Sequence, residues 1–347
     1  MNNEMNISTM LADQLSRLLT KEVSREVLMA VEKGEPATAL WDQIQALGLP
    51  LALVPEASGG ADMSWAETGA LLRTLGEFVA PVPLGETIVG AWVLSNAGLS
   101  IPDGPLAVVN ERMTLDAAGL ISGSAPSVAW AQHATHLVVS ANRGDENVVC
   151  LIERSQIDLE PQETLSRIPS ARLNLKNIRP LETSSAASAI SELGFMPYLA
   201  ALRAGQISGA LDRILALCVE YANTRTQFGK PIGKFQAIQQ MIAELGSLAA
   251  SAQAAALFAC RRIDSANAEY GAAVAKAHVG RAAGLGSAIA HQVFGAIGVT
   301  DEHDLHYYTR RLWQWRTESG SEHFWSERLG HQVLANGNAG LWPSITE

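Results

Sequence analysis

The sequence predicts an α+β chain: an N-terminal helical domain, a small middle β-sheet or barrel domain, and a C-terminal four-helix bundle. Three observations carry that expectation. Apolar residues recur at helical spacing through the first hundred positions and again beyond about residue 185. Between them, from Leu106 to Ile178, the apolar runs are short, often β-branched, and separated by glycine, proline and polar residues. The 347-residue length leaves room for two or three domains with more than one core. The expected divisions are 1–104, 105–184 and 185–347.

In chain order, Leu11, Leu15, Leu18 and Leu19 fall at i, i+4, i+7 and i+8, and Leu40, Ile44 and Leu47 share one helical face. Turns interrupt these helices at Ser58–Gly60 and Pro81–Pro83. Ser58–Gly60 reads as a plain turn, because a phosphate loop needs a strand before it and a helix N-terminus after it. Strand chemistry follows in Leu106–Val109, Leu137–Val139, Val148–Ile152 and Ala171–Leu175. Further on, Leu211, Ile214, Leu215 and Cys218 line one apolar face. Gly205 and Gly209, one turn apart, predict close approach of a neighbouring helix. The Ala-rich stretches Leu248–Cys260 and Ala272–Gly286 suit tightly packed helices, and a fourth helix is expected around Thr309–Trp315.

Composition removes several function classes. Hydrophobic residues at 48% and charged residues at 17% describe an ordered globular chain. A net charge of −10 argues against nucleic acid or an anionic membrane as the main partner. Cys150, Cys218 and Cys260 are far apart and form no CxxC, which fits a reducing compartment. The stretch Met1–Leu15 lacks a basic start followed by an apolar run, so no signal peptide is expected. The apolar window Ile88–Leu99 is broken by Gly90, Asn96 and Gly98 and is too short to span a bilayer. A soluble, cytoplasmic protein is the expectation.

The segment Tyr221–Gln236 carries the first chemical signal. A long helix ends in Arg225, Gln227, Phe228 and Gly229, and a new helix begins near Phe235. A guanidinium there suits a pyrophosphate, because its fork donates two parallel hydrogen bonds. The same residues also read as a helix C-cap with Gly229 in the left-handed region. His303 and His306, beside Asp301, Glu302 and Asp304, read as a polar helix start, and no metal centre is predicted. Trp313, Trp315 and Trp325 are expected in a core or interface, and Arg310, Arg311 and Arg316 in helix caps or ion pairs.

The string R-T-Q-F-G-K-P-I-x-x-F-Q-x-I-Q, starting at Arg225, resembles the signature of the acyl-CoA dehydrogenase family. Gln292–Glu302 resembles that family's Q-x-x-G-G-x-G segment, with Ala296 in place of its second glycine, and Leu47–Gly60 resembles its V-P-E-x-x-G-G segment. The three occur in family order and cover nearly the whole chain. The resemblance implies the helical–β–helical fold and an FAD site built by two subunits. Arg225 would meet the FAD pyrophosphate held mainly by a neighbour, with Gln227 and Phe228 close by. Gln292 and the turn from Gly295 to Gly298 would approach the adenine-diphosphate portion. The implied reaction is α,β-dehydrogenation of an acyl-CoA thioester, with electrons passing on to an electron-transfer acceptor.

The departures from the family are as informative. Where the family has its catalytic glutamate in E-G-T, this chain reads Glu318-Ser319-Gly320, which places Ser319 at the base position. Glu318, one residue earlier, is the remaining candidate and serves only if the local chain is shifted. The alternative family position falls near Leu199–Ala200, where no acid stands. The T-E-P-x-x-G-S-D and W-I-[ST] strings are missing: Gly123–Val128 occupies the flavin-ring position, and Trp130 reads as a packing residue. These losses are similar to those of short family members, including ones acting on steroid side-chain thioesters, that pair with a longer homologous chain. In a mixed heterotetramer such a partner would supply the base; a homo-oligomer is the other assembly expected. A non-catalytic structural subunit and a flavin monooxygenase of the same fold are the alternatives.

Overall fold

The computed structural model describes residues 7–185 and 191–346, so the first six residues of the stretch read for a signal peptide lie outside the described residues. Helices α1 (Ile7–Glu22), α2 (Arg25–Glu32), α3 (Thr38–Ala46), α4 (Trp65–Glu77) and α5 (Leu84–Asn96) come first. Leu15, Leu19, Leu40 and Ile44 are buried, as their spacing requires. Ser64 and Glu67 form a capping box at the start of α4. The same helix start receives a second acceptor from far along the chain: Asp264 takes hydrogen bonds from the Trp65 and Ala66 amides at 2.9 Å each.

The middle strands are β1 (Leu106–Leu115), β2 (Ile121–Ala129), β3 (His136–Arg143), β4 (Glu146–Glu153), β5 (Leu159–Gln162), β6 (Ser170–Ile178) and β7 (Glu182–Ser184). They form one sheet in the order β5-β6-β2-β1-β3-β4-β7, with β1 and β3 parallel and the other neighbours antiparallel. Strands β1, β3 and β4 are buried on both faces along their apolar runs, whereas β2, β5 and β6 leave one side partly exposed. Ala107, Val109, Leu137, Val139, Cys150 and Ile152 face a core of the sheet's own. Their alternates Leu106, Val108, Val138, Val149 and Leu151 face the large helical core. Double burial explains why these strands read as unbroken apolar runs rather than as alternating ones. Strand β2 escaped the sequence reading because Ser122, Gly123, Ser124 and Ser127 dilute its apolar signal.

The remaining helices are α6 (Met196–Thr224), α7 (Gln236–Asp264), α8 (Ala268–Phe294), α9 (Leu305–Thr317) and α10 (Glu322–Thr346), the last broken at Gly337. Helices α6 to α9 make the expected bundle, and α10 is an addition that packs along α8. Helices α7 and α8 are long and apolar enough to cross a membrane by length and composition, and here both pack against α6. Helix α6 also lies against α4. An added Cβ on Gly209 would stand 1.9 Å from the Arg73 carbonyl oxygen, and one on Gly205 would stand 2.7 Å from the Leu72 Cβ. These glycines set the distance between the two helices. Gly209→Val is expected to cost about 3 kcal/mol or more by forcing them apart, which equilibrium urea unfolding would measure.

Candidate cofactor and active-site region

The end of α6 turns out into solvent. Arg225 is its C-cap, with extended backbone. Its amide donates to the Tyr221 carbonyl at 2.8 Å, and its carbonyl accepts from Ile232 at 2.8 Å. Thr226 pairs with Pro231 and Gln227 with Lys230 in a small hairpin. Its two turn residues, Phe228 and Gly229, both have positive φ, the geometry that tight hairpins favour. Phe228 is therefore held at the tip, 92% exposed.

The end of α8 meets this hairpin. Tyr221 stacks on Phe294 with ring centroids 4.4 Å apart, which clamps the two helix ends together. Arg225, Gln227, Phe228, Gln292 and Gly295 then line one open cavity of ≈270 Å³. Among the described residues Arg225 forms no ion pair. Gly295 has φ +63 and nothing within 4 Å of where a Cβ would stand, so backbone is accessible there. Gly298 is placed differently: it is buried, and its Cβ would strike Phe294 and Leu305 at 2.9 and 3.0 Å. Its smallness serves helix packing. Ala296 is not among the positive-φ residues, so alanine there is unstrained. This set suits the diphosphate end of FAD: an unpaired guanidinium, two amide side chains and open backbone converge on one cavity.

The second region lies where α9 ends. Ser319 and Gly320 both have positive φ and reverse the chain into α10. Lys276, fully buried, donates to the carbonyls of Trp315 at 2.6 Å, Arg316 at 3.2 Å and Glu318 at 2.8 Å. It satisfies carbonyls that the helix end leaves orphaned. Burial pushes its ammonium down to about 7. Trp325 adds a bond from its Nε1 to the Ser319 carbonyl at 2.8 Å.

Beneath this turn is a recess of ≈230 Å³, bounded by α5, α6, β1, β2 and the end of α9. Arg203 spans it, with its side chain 4% exposed. Its Nη2 donates to Glu86 Oε1 at 2.6 Å, its Nε to Glu318 Oε2 at 2.6 Å and its Nη1 to Gln206 at 2.7 Å. Gln314 donates to Glu318 Oε1 at 2.9 Å. Both oxygens of Glu318 are thus engaged. Ser319 lines the same recess, and so does Glu111, whose carboxyl burial raises above the usual range. Leu199 also lines it, so both places read from the sequence for a base converge here. The residues that dominate the chemistry, Glu86, Arg203 and Lys276, were not singled out in the sequence. The available signal was a lone charge inside an apolar helical run.

Other residues weighed in the sequence have structural partners. His303 accepts from the Leu305 amide at 3.1 Å at the start of α9. Arg310 pairs with Glu32 at 2.7 Å and Arg316 with Glu322. Trp130 is buried against Val31 and Ile168 and is not among the residues that line the recess. Trp315 and Trp325 are buried, and Trp313 stacks on His291. The three cysteines are buried thiols, each pushed up to about 12 by burial. A cavity of ≈860 Å³ lies between α5, the start of α6, the α7–α8 turn and α10. Trp92 and Tyr198 pack together on one side, and Arg328, paired with Glu269 at 3.1 Å, lines it too.

Comparison with known proteins agrees with this architecture. Residues 7–99 match the acyl-CoA dehydrogenase N-terminal domain, and residues 194–330 match the acyl-CoA dehydrogenase C-terminal domain. The acyl-CoA dehydrogenase IpdE2 of Mycobacterium tuberculosis is 29% identical over 310 residues, covering 87% of this chain and 89% of that protein. Among solved structures, the Tcur3481-Tcur3483 steroid ACAD superposes with a TM-score of 0.87 at 25% identity, covering 96% of this chain and 98% of that one. The ChsE4-ChsE5 complex from Mycobacterium tuberculosis gives 0.87 at 22% identity, covering 95% and 97%. This chain belongs to the acyl-CoA dehydrogenase family, a class of oxidoreductases.

Proposed function

We propose that this chain is a cytoplasmic subunit of an FAD-dependent acyl-CoA dehydrogenase and that it holds its FAD jointly with a longer homologous chain. The observation that carries this reading is the outward-facing cradle of Arg225, Gln227, Phe228, Gln292 and Gly295. Its guanidinium is unpaired and its aromatic tip is 92% exposed, which suits a cofactor and a chain arriving from outside. When bound, FAD supplies the two-electron acceptor for the hydride leaving the β-carbon. Arg225 neutralises the diphosphate, Gln292 meets its polar edge, and Gly295 offers backbone at close range.

The α-proton falls to the partner chain in this reading. Glu318 has both oxygens committed to Arg203 and Gln314, and Ser319 beside it has no suitable pKa. The likeness to the ChsE4-ChsE5 complex supports assembly with a second, homologous chain, and a heterotetramer is the form of that assembly in this reading. The subunit would hand its electrons to a separate acceptor in steroid or fatty acid breakdown. A purely structural subunit is the second reading, and the unpaired Arg225 weighs against it.

The test is the visible absorbance spectrum of the chain alone and co-expressed with a longer homologue, with native mass spectrometry on both. A colourless chain that gains flavin only in the mixed assembly supports the reading. Stoichiometric FAD in a homo-oligomer sinks it. Arg225→Gln is expected to weaken FAD binding in the mixed assembly about 10- to 100-fold, the value of a charge-assisted hydrogen-bond pair. Flavin fluorescence on titration would measure this.

A further inference from the structure

We propose that the recess beneath the end of α9 is a binding site for a small neutral alcohol, with an apolar body and one hydroxyl group that donates a hydrogen bond. The inference stands apart from the flavin reading and rests on the unpaired groups of the recess. Glu86 is 2% exposed, yet among the described residues its Oε2 has no hydrogen-bond partner. Asn110 Oδ1, also buried and also on the recess, has none. A buried acceptor left unpaired is costly, the more so on a charged group, and a donor entering from the cavity relieves it.

The donors already present are aimed at other partners and do not reach the two open acceptors. All three nitrogens of Arg203 bond to Glu318, Gln206 and Glu86, and the Gln314 amide bonds to Glu318. The Thr317 hydroxyl is used on the Gln314 carbonyl. A group that only accepts would meet the second N–H of Nη1, Nη2 or the Gln314 amide, but it would leave Glu86 Oε2 and Asn110 Oδ1 unpaired. The three carboxyls on the recess, those of Glu86, Glu111 and Glu318, are countered by Arg203 and by the buried Lys276 and Arg311 coupled to it, so an added anion finds no net positive field. Further cations are opposed by Lys276 and Arg311, both fully buried and both electrostatically coupled to Arg203 and Glu318. A neutral donor satisfies both constraints. Val108, Val128 and Leu199 supply apolar wall, and ≈230 Å³ exceeds the roughly 150 Å³ that holds a benzene ring.

Benzyl alcohol and benzyl methyl ether are the probes. They share the ring and differ in the hydroxyl proton. Ligand-observed NMR on the full chain, alone and in its flavin-loaded assembly, should show saturable binding of the alcohol with the ether at least about tenfold weaker. Asn110→Leu, which leaves the Arg203–Glu86 pair intact, should weaken the alcohol by a similar factor and spare the ether. Glu86→Gln should do the same, with circular dichroism confirming that the fold survives. Equal binding of the two probes, no binding of either, or alcohol binding unchanged in Asn110→Leu would overturn the proposal. A crystal soak that shows water alone at Glu86 Oε2 would overturn it too. The flavin spectrum of the same samples tests joint FAD binding separately.

Discussion

Arg203→Ala is expected to lower the stability of the chain by about 3–5 kcal/mol. The guanidinium and the Glu86 carboxylate are almost wholly removed from solvent, at 4% and 3% side-chain exposure, and Glu318 is 20% exposed. Removing the cation leaves Glu86 as a buried charge with no counterion, and the desolvation already incurred is then uncompensated. The cost comes from the group left behind, so a second substitution should recover much of it. Arg203→Met combined with Glu86→Leu removes both charges, and the double variant is expected to be more stable than Arg203→Ala alone. Urea unfolding at neutral pH gives both values. A loss below about 1 kcal/mol in Arg203→Ala would show that water or Lys276 already compensates Glu86.

Lys276→Met is the second large effect. Three carbonyls at the end of α9 lose their donor, at a cost of roughly 3 kcal/mol or more, since each buried acceptor left open is destabilising. The penalty should also depend on pH. The unfolded lysine titrates near its ordinary value, 10.5, and the folded one near 7. Between those values the unfolded chain binds more protons than the folded one. The wild-type chain therefore gains stability as pH rises from about 7 towards 10.5, up to about 1.4 kcal/mol per pH unit for this group. The Met variant lacks that gain, so the gap between the two proteins should widen with pH. Parallel denaturation curves at pH 6, 8 and 9 would check the sign, and a gap that narrows would refute it.

The sequence was most legible where one physical pattern dominates. Helical periodicity located α1, α3 and α6, and the β-branched runs located β1, β3, β4 and β6. Gly205 and Gly209 were legible as a close approach because only contact explains two glycines one turn apart in a helix. Strand β2 was not legible, since its pairing partners β1 and β6 lie on either side and tertiary contact, not propensity, makes it a strand. At the candidate site, the Arg225 hairpin could be read because its residues are contiguous. The recess could not, because Glu86, Arg203 and Glu318 are separated by more than a hundred residues at each step and meet only through packing. Gly298 was read for cofactor approach, while its position under Phe294 and Leu305 gives it a packing reason.

The double-sided burial of β1, β3 and β4 bears on how this chain can be cut. Leu106, Val108, Val138, Val149 and Leu151 belong to the same core as the helices before and after them. A fragment holding the strands alone would present that whole greasy face to water. The strands are therefore not a portable module: grafting them into another protein means grafting α5 and the start of α6 with them. Melting of the sheet and of the helices around it is coupled through one shared interior, so loosening either surrenders the apolar contacts of both.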